Sequence, residues 1–231
     1  LGNAFEEQGK LKEAINCYER ANTTLSRAKL LECVYTLGQK DRFYRLLEKI
    51  TQEDKINLGV AAISAFGSNQ FGCRDPYPFC NRPLDFIYLD SIASTPDKSS
   101  GLLHDIQKQI VDLQLDRQSQ ALLKSGIQSA GNLFVDPVGA LANLEKIIRN
   151  QIAAYNSKYQ ESDCCFIKMW PRKYTLTGWY ILMEKGGHLK SHNHPEGWLS
   201  GVLYLKIPPT KKDEGYIEFG LHRHDFPILK S

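Results

Sequence analysis

Several features that would classify a chain at once are missing from these 231 residues. No run of about 18 apolar residues occurs, so no transmembrane helix is expected. Charge of one sign is not in excess, and a formal net charge of +3 is too small to argue for nucleic acid or a membrane surface as partner. The six cysteines, Cys17, Cys33, Cys73, Cys80, Cys164 and Cys165, form no Cys-x-x-Cys pair, and a chain of this length needs no disulfide staples. Reduced thiols in a cytoplasmic setting are the simplest expectation. A zinc or disulfide role for Cys73 and Cys80, which flank a proline-rich loop, is outweighed by ordinary buried or loop cysteines. The first residues, Leu1-Gly2-Asn3-Ala4-Phe5-Glu6, show neither the basic nor the apolar region of a secretory signal, nor an initiating Met. Position 1 is therefore expected to be an internal cut that any targeting segment would precede. What is present, 42% hydrophobic and 24% charged, is globular material sufficient for one sizeable core or two smaller domains.

The N-terminal quarter reads as helix. Leu11, Ala14, Ile15, Tyr18 and Ala21 recur at helical spacing with charges between them, which gives one apolar stripe. The small residues Gly2, Ala14 and Ala21 and the rings of Phe5 and Tyr18 fall where a tetratricopeptide repeat needs close contacts and ring-filled positions, and the segment resembles one such repeat. A second pair follows, with Leu30, Leu31, Val34 and Leu37 before Gly38, then Phe43, Leu46, Leu47 and Ile50. The spacing from Gly9 to Gly38 falls short of the usual period of about 34 residues, so this unit is degenerate or closing, and an apolar helix from Ile56 to Phe66 caps the stack. Repeats need about three units for stability, so further repeats are expected before Leu1; a plain helical bundle is the alternative.

Between residues 67 and 100, Pro76, Pro78, Pro83 and Pro96 mark a connector, yet Phe79, Leu84, Phe86, Ile87, Tyr88 and Leu89 are too apolar for a free linker. The expected organisation is a helical repeat region over 1–66, a connector over 67–100 packed along a boundary near Ser99, and a second domain over 101–231. That domain opens with helical stripes: Leu103, Ile106, Ile110 and Leu113, then Leu141, Leu144, Ile147, Ile148, Ile152 and Tyr155, the latter entered through Asp136-Pro137 with aspartate as cap. From Cys164 onward the pattern predicts short strands at Phe166–Trp170, Trp179–Met183, His188–His194, Leu199–Ile207 and Tyr216–Phe219, separated by turns such as Gly186-Gly187 and Pro208-Pro209. Helices followed by antiparallel strands make an α+β fold with a jelly-roll-like barrel.

Chemistry concentrates in Gly186-Gly187-His188-Leu189-Lys190-Ser191-His192-Asn193-His194-Pro195-Glu196-Gly197-Trp198. Side chains at i and i+2 of an extended segment share a face, so His192 and His194 can grip one metal ion, and neutral imidazole suits iron, zinc, copper or nickel. Pro195 cannot donate to a ladder, which places the pair where strand pairing stops. The plain alternative is a pair of solvated histidines on a strand edge. His188 is in phase with His192 but roughly 13 Å away along an extended chain, too far for a co-ligand. His222 and His224 repeat the spacing in Leu221-His222-Arg223-His224-Asp225, where an exposed polar turn is the expectation.

The runs Trp179-Tyr180-Ile181-Leu182, Gly186-Gly187-His188, His192 through Leu205, Pro208 and Gly215-Tyr216-Ile217-Glu218-Phe219 resemble the 2-oxoglutarate- and Fe(II)-dependent oxygenases, in the branch fused behind tetratricopeptide repeats. Ser125 to Phe134 is similar to the opening segment of that domain. The resemblance implies a double-stranded β-helix with flanking helices, Fe(II) as metal, 2-oxoglutarate as co-substrate, and His192 and His194 as metal ligands. It also implies a protein or peptide partner for the repeats. His194 stands where a carboxylate is common in such oxygenases, although this branch is similar in carrying a second histidine there, and the resemblance implies that the strand with the distal histidine and the arginine or lysine for 2-oxoglutarate would come after Ser231. The sequence as given is therefore expected to bind metal weakly without turnover, with Glu196 as a conceivable substitute carboxylate. Two other readings stay open: a cupin-like metal protein, although Trp198 and Leu199 occupy the place of its glutamate, and a catalytically inactive interaction protein. Trp170, Trp179 and Trp198 are expected in aromatic core rather than lining a pocket.

Overall fold

Local sequence sets the helix ends. Thr23 Oγ1 accepts the Ser26 amide at 3.2 Å while Ser26 Oγ accepts the Thr23 amide at 2.7 Å, a reciprocal cap that starts one helix. Asn57 Oδ1 takes the Val60 amide at 3.1 Å and starts another, which ends on Gly72 at φ 64°. In the computed structural model, which describes residues 1–92, 96–113, 115–118, 120–207, 209, 215–223 and 226–229, five N-terminal helices follow: α1 (Gly2–Glu7), α2 (Leu11–Ala21), α3 (Thr24–Thr36), α4 (Lys40–Glu53) and α5 (Leu58–Phe71). Pro208, His224, Asp225 and Ser231 lie outside the described residues.

α1 packs on α2, α2 on α3, and α3 on both α4 and α5. α3 is the central helix: Ala28, Leu30, Leu31, Cys33, Val34 and Tyr35 are all buried, so its apolar residues face more than one neighbour rather than forming one stripe. Gly2 lies under the Tyr18 ring, where an added Cβ would come within 2.5 Å of Cε1, the close approach its small side chain suggests. The connector does pack rather than hang free. Tyr77 is fully buried and ties it to the turn before α5, accepting the Asn57 amide at 2.9 Å and donating to the Asp54 carbonyl at 2.8 Å.

α6 (Pro96–Asp112) and α7 (Gly139–Tyr159) form a second, smaller core through Ile106, Ile110, Leu141 and Leu144, with Ser99 inside α6. The expected aspartate cap of α7 is not used: Asp136 has φ 45° and the helix begins three residues later. Its cap comes from α6 instead, where Gln109 Oε1 accepts the Leu141 amide at 3.1 Å and Nε2 donates to the Val138 carbonyl at 2.9 Å. The expected strand Phe166–Trp170 is replaced by a helical turn, α8 (Cys165–Lys168). Its physical cause is ring packing: Phe166 and Trp170 both reach Tyr155, at 6.3 and 5.7 Å between centroids. An extended chain would hold residues four apart roughly 13 Å from one another, whereas a helix brings them to about 6 Å.

The sheet is antiparallel and three-stranded, in the order β1 (Arg117–Gln118), β2 (Leu123–Ser129), β3 (Ile181–Leu189). Leu199–Ile207 and Tyr216–Phe219, expected as strands, form no ladder among the described residues, so these residues do not close a double-stranded β-helix. Leu203 and Leu205 lie on the α6–α7 core instead, and the Leu205 carbonyl accepts Gln107 Nε2 at 2.7 Å. Val202 at 58% and Tyr216 at 65% exposure show how little of these two segments' apolar surface is covered. Among the described residues no helix is long and apolar enough to cross a membrane.

Tyr77→Phe removes one hydroxyl and orphans the buried Asn57 amide and the half-buried Asp54 carbonyl. It is expected to lower unfolding stability by about 2 kcal/mol in urea titration, with the far-UV dichroism of the native state unchanged.

Candidate metal centre

The path to His192 begins with an irregularity in the sheet. Gly126 pairs with Met183 and Lys124 with His188, so three extra residues of β3 bulge opposite Ser125. Gly186 and Gly187, expected to form a turn between strands, lie inside this bulge. Gly186 takes φ +76°, and a Cβ on Gly187 would stand 2.4 Å from the Ser125 carbonyl oxygen and 2.9 Å from that of Glu184. The backbones approach each other there too closely for any side chain.

Beyond β3 one more backbone hydrogen bond forms, from the Lys190 amide to the Leu122 carbonyl at 3.0 Å. The chain then leaves the sheet, and His192 folds back so that its Nδ1 donates to the Lys190 carbonyl at 2.7 Å. That bond fixes the tautomer and places the ring's lone pair on Nε2, the atom a metal would take. His194, Pro195, Glu196 and Gly197 form a tight turn closed by the Gly197 amide on the His194 carbonyl at 3.0 Å, with proline at the second position where its fixed φ is suited. Trp198 follows and inserts among Phe79 and Phe166, with ring centroids 5.5 and 6.1 Å away. The histidines are thus held between a sheet end and an aromatic anchor.

Within this segment the two imidazoles converge. Nε2 of His192 and Nε2 of His194 are 3.1 Å apart, with ring centroids 4.8 Å apart and planes at 73°. Two ligands at right angles on one metal, each bound at about 2.1 Å, would place their nitrogens about 3.0 Å apart, so the pair matches the donor geometry of adjacent positions on one ion. The shared face expected of i and i+2 is realised, although outside the ladder. Burial, and then the neighbouring His192, lower the pKa of His194 below its ordinary value, which keeps its imidazole neutral as a ligand must be. Trp179 lies against the His194 ring at 5.8 Å.

The other candidates go elsewhere. Among the described residues no third histidine, cysteine, aspartate or glutamate joins the pair, so neither Glu196 nor His188 completes a ligand set there. His222 packs on Phe66 of α5 at 5.5 Å and its Nε2 donates to the Phe226 carbonyl at 3.1 Å. Cys73 and Cys80 form no disulfide: Cys73 is exposed, while burial first and then Cys164 push the Cys80 thiol up to about 12. Trp170 and Trp198 belong to the aromatic core, as expected, and Trp179 remains 39% exposed beside His194. Sequence reasoning missed the Lys190 carbonyl and the Phe79–Phe166 anchor. The first leaves no side-chain signal, and the second was legible only as apolarity in the connector.

Residues 177–226 match a family model described as "Putative 2OG-Fe(II) oxygenase", and the histidine pair lies inside that segment. No curated protein and no solved structure matches the chain.

Gly187→Ala is expected to cost on the order of 3 kcal/mol, because both atoms it would strike are backbone. Gly197→Ala meets nothing closer than 3.5 Å and is expected to stay within about 0.5 kcal/mol of the parent. Thermal unfolding of the two variants side by side measures the contrast.

Proposed function

We propose that His192 and His194 are two ligands of the Fe(II) centre of a 2-oxoglutarate-dependent oxygenase of the hydroxylase type. The observation that carries this reading is the 3.1 Å approach of their Nε2 atoms inside the segment that matches the oxygenase family. In this reading residues 101–231 belong to the oxygenase domain, with the three-stranded sheet as part of its double-stranded β-helix, and the helices of residues 1–66 are tetratricopeptide-like repeats that serve as a protein-interaction unit.

The chain's own contributions are positional and electrostatic. Lys190, through its carbonyl, holds the Nδ1 proton of His192 and so turns the Nε2 lone pair toward the site. The proline turn keeps His194 opposite it, and Trp179 covers one side of the His194 ring. Iron with 2-oxoglutarate would supply oxygen activation, with dioxygen as the oxidant of hydroxylation and 2-oxoglutarate as the co-substrate that gives up two electrons on decarboxylation, chemistry that no side chain here provides.

Anaerobic titration with Fe(II), or with Co(II) followed by its visible absorption, is expected to show saturable binding that His192→Ala and His194→Ala each weaken by roughly 100-fold. Equal affinity in the parent and both variants would overturn the assignment. Binding of 2-oxoglutarate by the iron-loaded protein, read as a visible absorption band that both variants lose, separates an oxygenase from a cupin-like metal protein or an inactive interaction protein.

A further inference from the structure

The segment Leu221–Leu229 forms no helix or strand among its described residues, yet it is held against α3 and α5 by contacts of four different kinds. Arg223 meets Glu32 through both guanidinium nitrogens, at 3.1 and 3.0 Å, with both side chains largely buried. Such a two-pronged, charge-assisted pair specifies arginine rather than lysine. Phe226 is 6% exposed and sits between Tyr35 at 6.2 Å and Phe66 at 5.3 Å, with the Arg223 guanidinium 4.2 Å above its ring. Tyr35 donates its hydroxyl to the Pro227 carbonyl at 2.6 Å, and Gln70 accepts the Leu229 amide at 2.8 Å. Side chains at 223 and 226 fill specific partners while the backbone at 227 and 229 is hydrogen-bonded, the pattern by which a groove reads a peptide. A cavity of about 40 Å³ lies beside Glu6, Glu32 and Arg223.

We infer that the groove formed by α3 and α5 is a recognition site for a peptide carrying an arginine three residues before a Phe-Pro pair, turned so that the phenylalanine amide meets the arginine carbonyl, here at 3.0 Å, and that Leu221–Leu229 is its resident ligand, bound in cis. The segment's own turn, closed by the Phe226 amide on the Arg223 carbonyl at 3.0 Å, presents Arg223 and Phe226 together, and the groove supplies the partners for both, so the binding chemistry is separable from the covalent link. A partner that carries the same pattern competes with the resident segment for Glu32, Tyr35 and the Phe66 pocket. The inference gives the proposed interaction unit a ligand chemistry and uses no metal chemistry, so loss of iron binding leaves it intact.

A fluorescein-labelled peptide of residues 219–229 tests it by anisotropy. The full chain carrying Arg223→Glu with Phe226→Ser has its groove vacated and is expected to bind the peptide at least tenfold more tightly than the unmodified chain. Arg→Ala at position 223 of the peptide should abolish that gain. A vacated chain that keeps its helical dichroism but takes up no peptide overturns the inference. Should that chain fail to fold, hydrogen exchange of residues 220–229 decides. Protection is expected to drop at least tenfold in Arg223→Glu and to return when Glu32→Arg is added, whereas protection unchanged by Arg223→Glu overturns the inference.

Discussion

The ring of Phe166 is the point on which the arrangement of this protein depends. It touches Phe79 and Phe86 of the connector, Tyr155 of α7, Trp170 just beyond α8, and Trp198 of the histidine segment. Aromatic pairs contribute about 0.5–1.5 kcal/mol each beyond the area they bury, so this cluster is a strong and geometrically specific junction of four chain segments. The main core extends from it without a break into α2, α3, α4 and α5. The position of the histidine turn relative to the helices is therefore set by packing of rings rather than by the sheet alone.

Local physics was legible in the sequence wherever one stretch of chain decides the outcome. The apolar stripe of α2, the glycine that ends α3 and the convergence of His192 with His194 all depend on spacing within a few residues. Reading failed where a distant residue decides. Phe166 to Trp170 has the aromatic, branched composition of a strand, and only the Tyr155 ring makes a helical turn the better solution. Asp136 has the chemistry of a cap, yet Gln109 from another helix fills that role. Arg223 read as one charge in a polar loop, because its partner Glu32 is nearly the whole chain away. Leu199–Ile207 has strand composition, but a strand needs an edge to pair with, and composition does not supply one.

Two kinds of order meet in the C-terminal third. The histidine segment is over-determined, with a backbone bond at one end, a proline turn in the middle and a half-buried, ring-packed indole at the other end. Among the described residues after it, Leu203 and Leu205 are seated while Val202, Ile207 and Tyr216 are open to solvent. From Leu221 the chain lies against the helices rather than the sheet.

The bulge in β3 also sets parity. Residues paired across a ladder lie on the same face, and three is an odd number, so the insertion exchanges the faces of odd and even positions along the strand. Met183 lies opposite Gly126, and two steps further along β2 the residue opposite Lys124 is His188, not Lys185. Even-numbered residues downstream inherit the face that Met183 began. The glycine pair thus acts as a phase shifter for the strand: it decides that the segment leaving the sheet is led by the even positions His188 and Lys190, the series to which His192 and His194 belong.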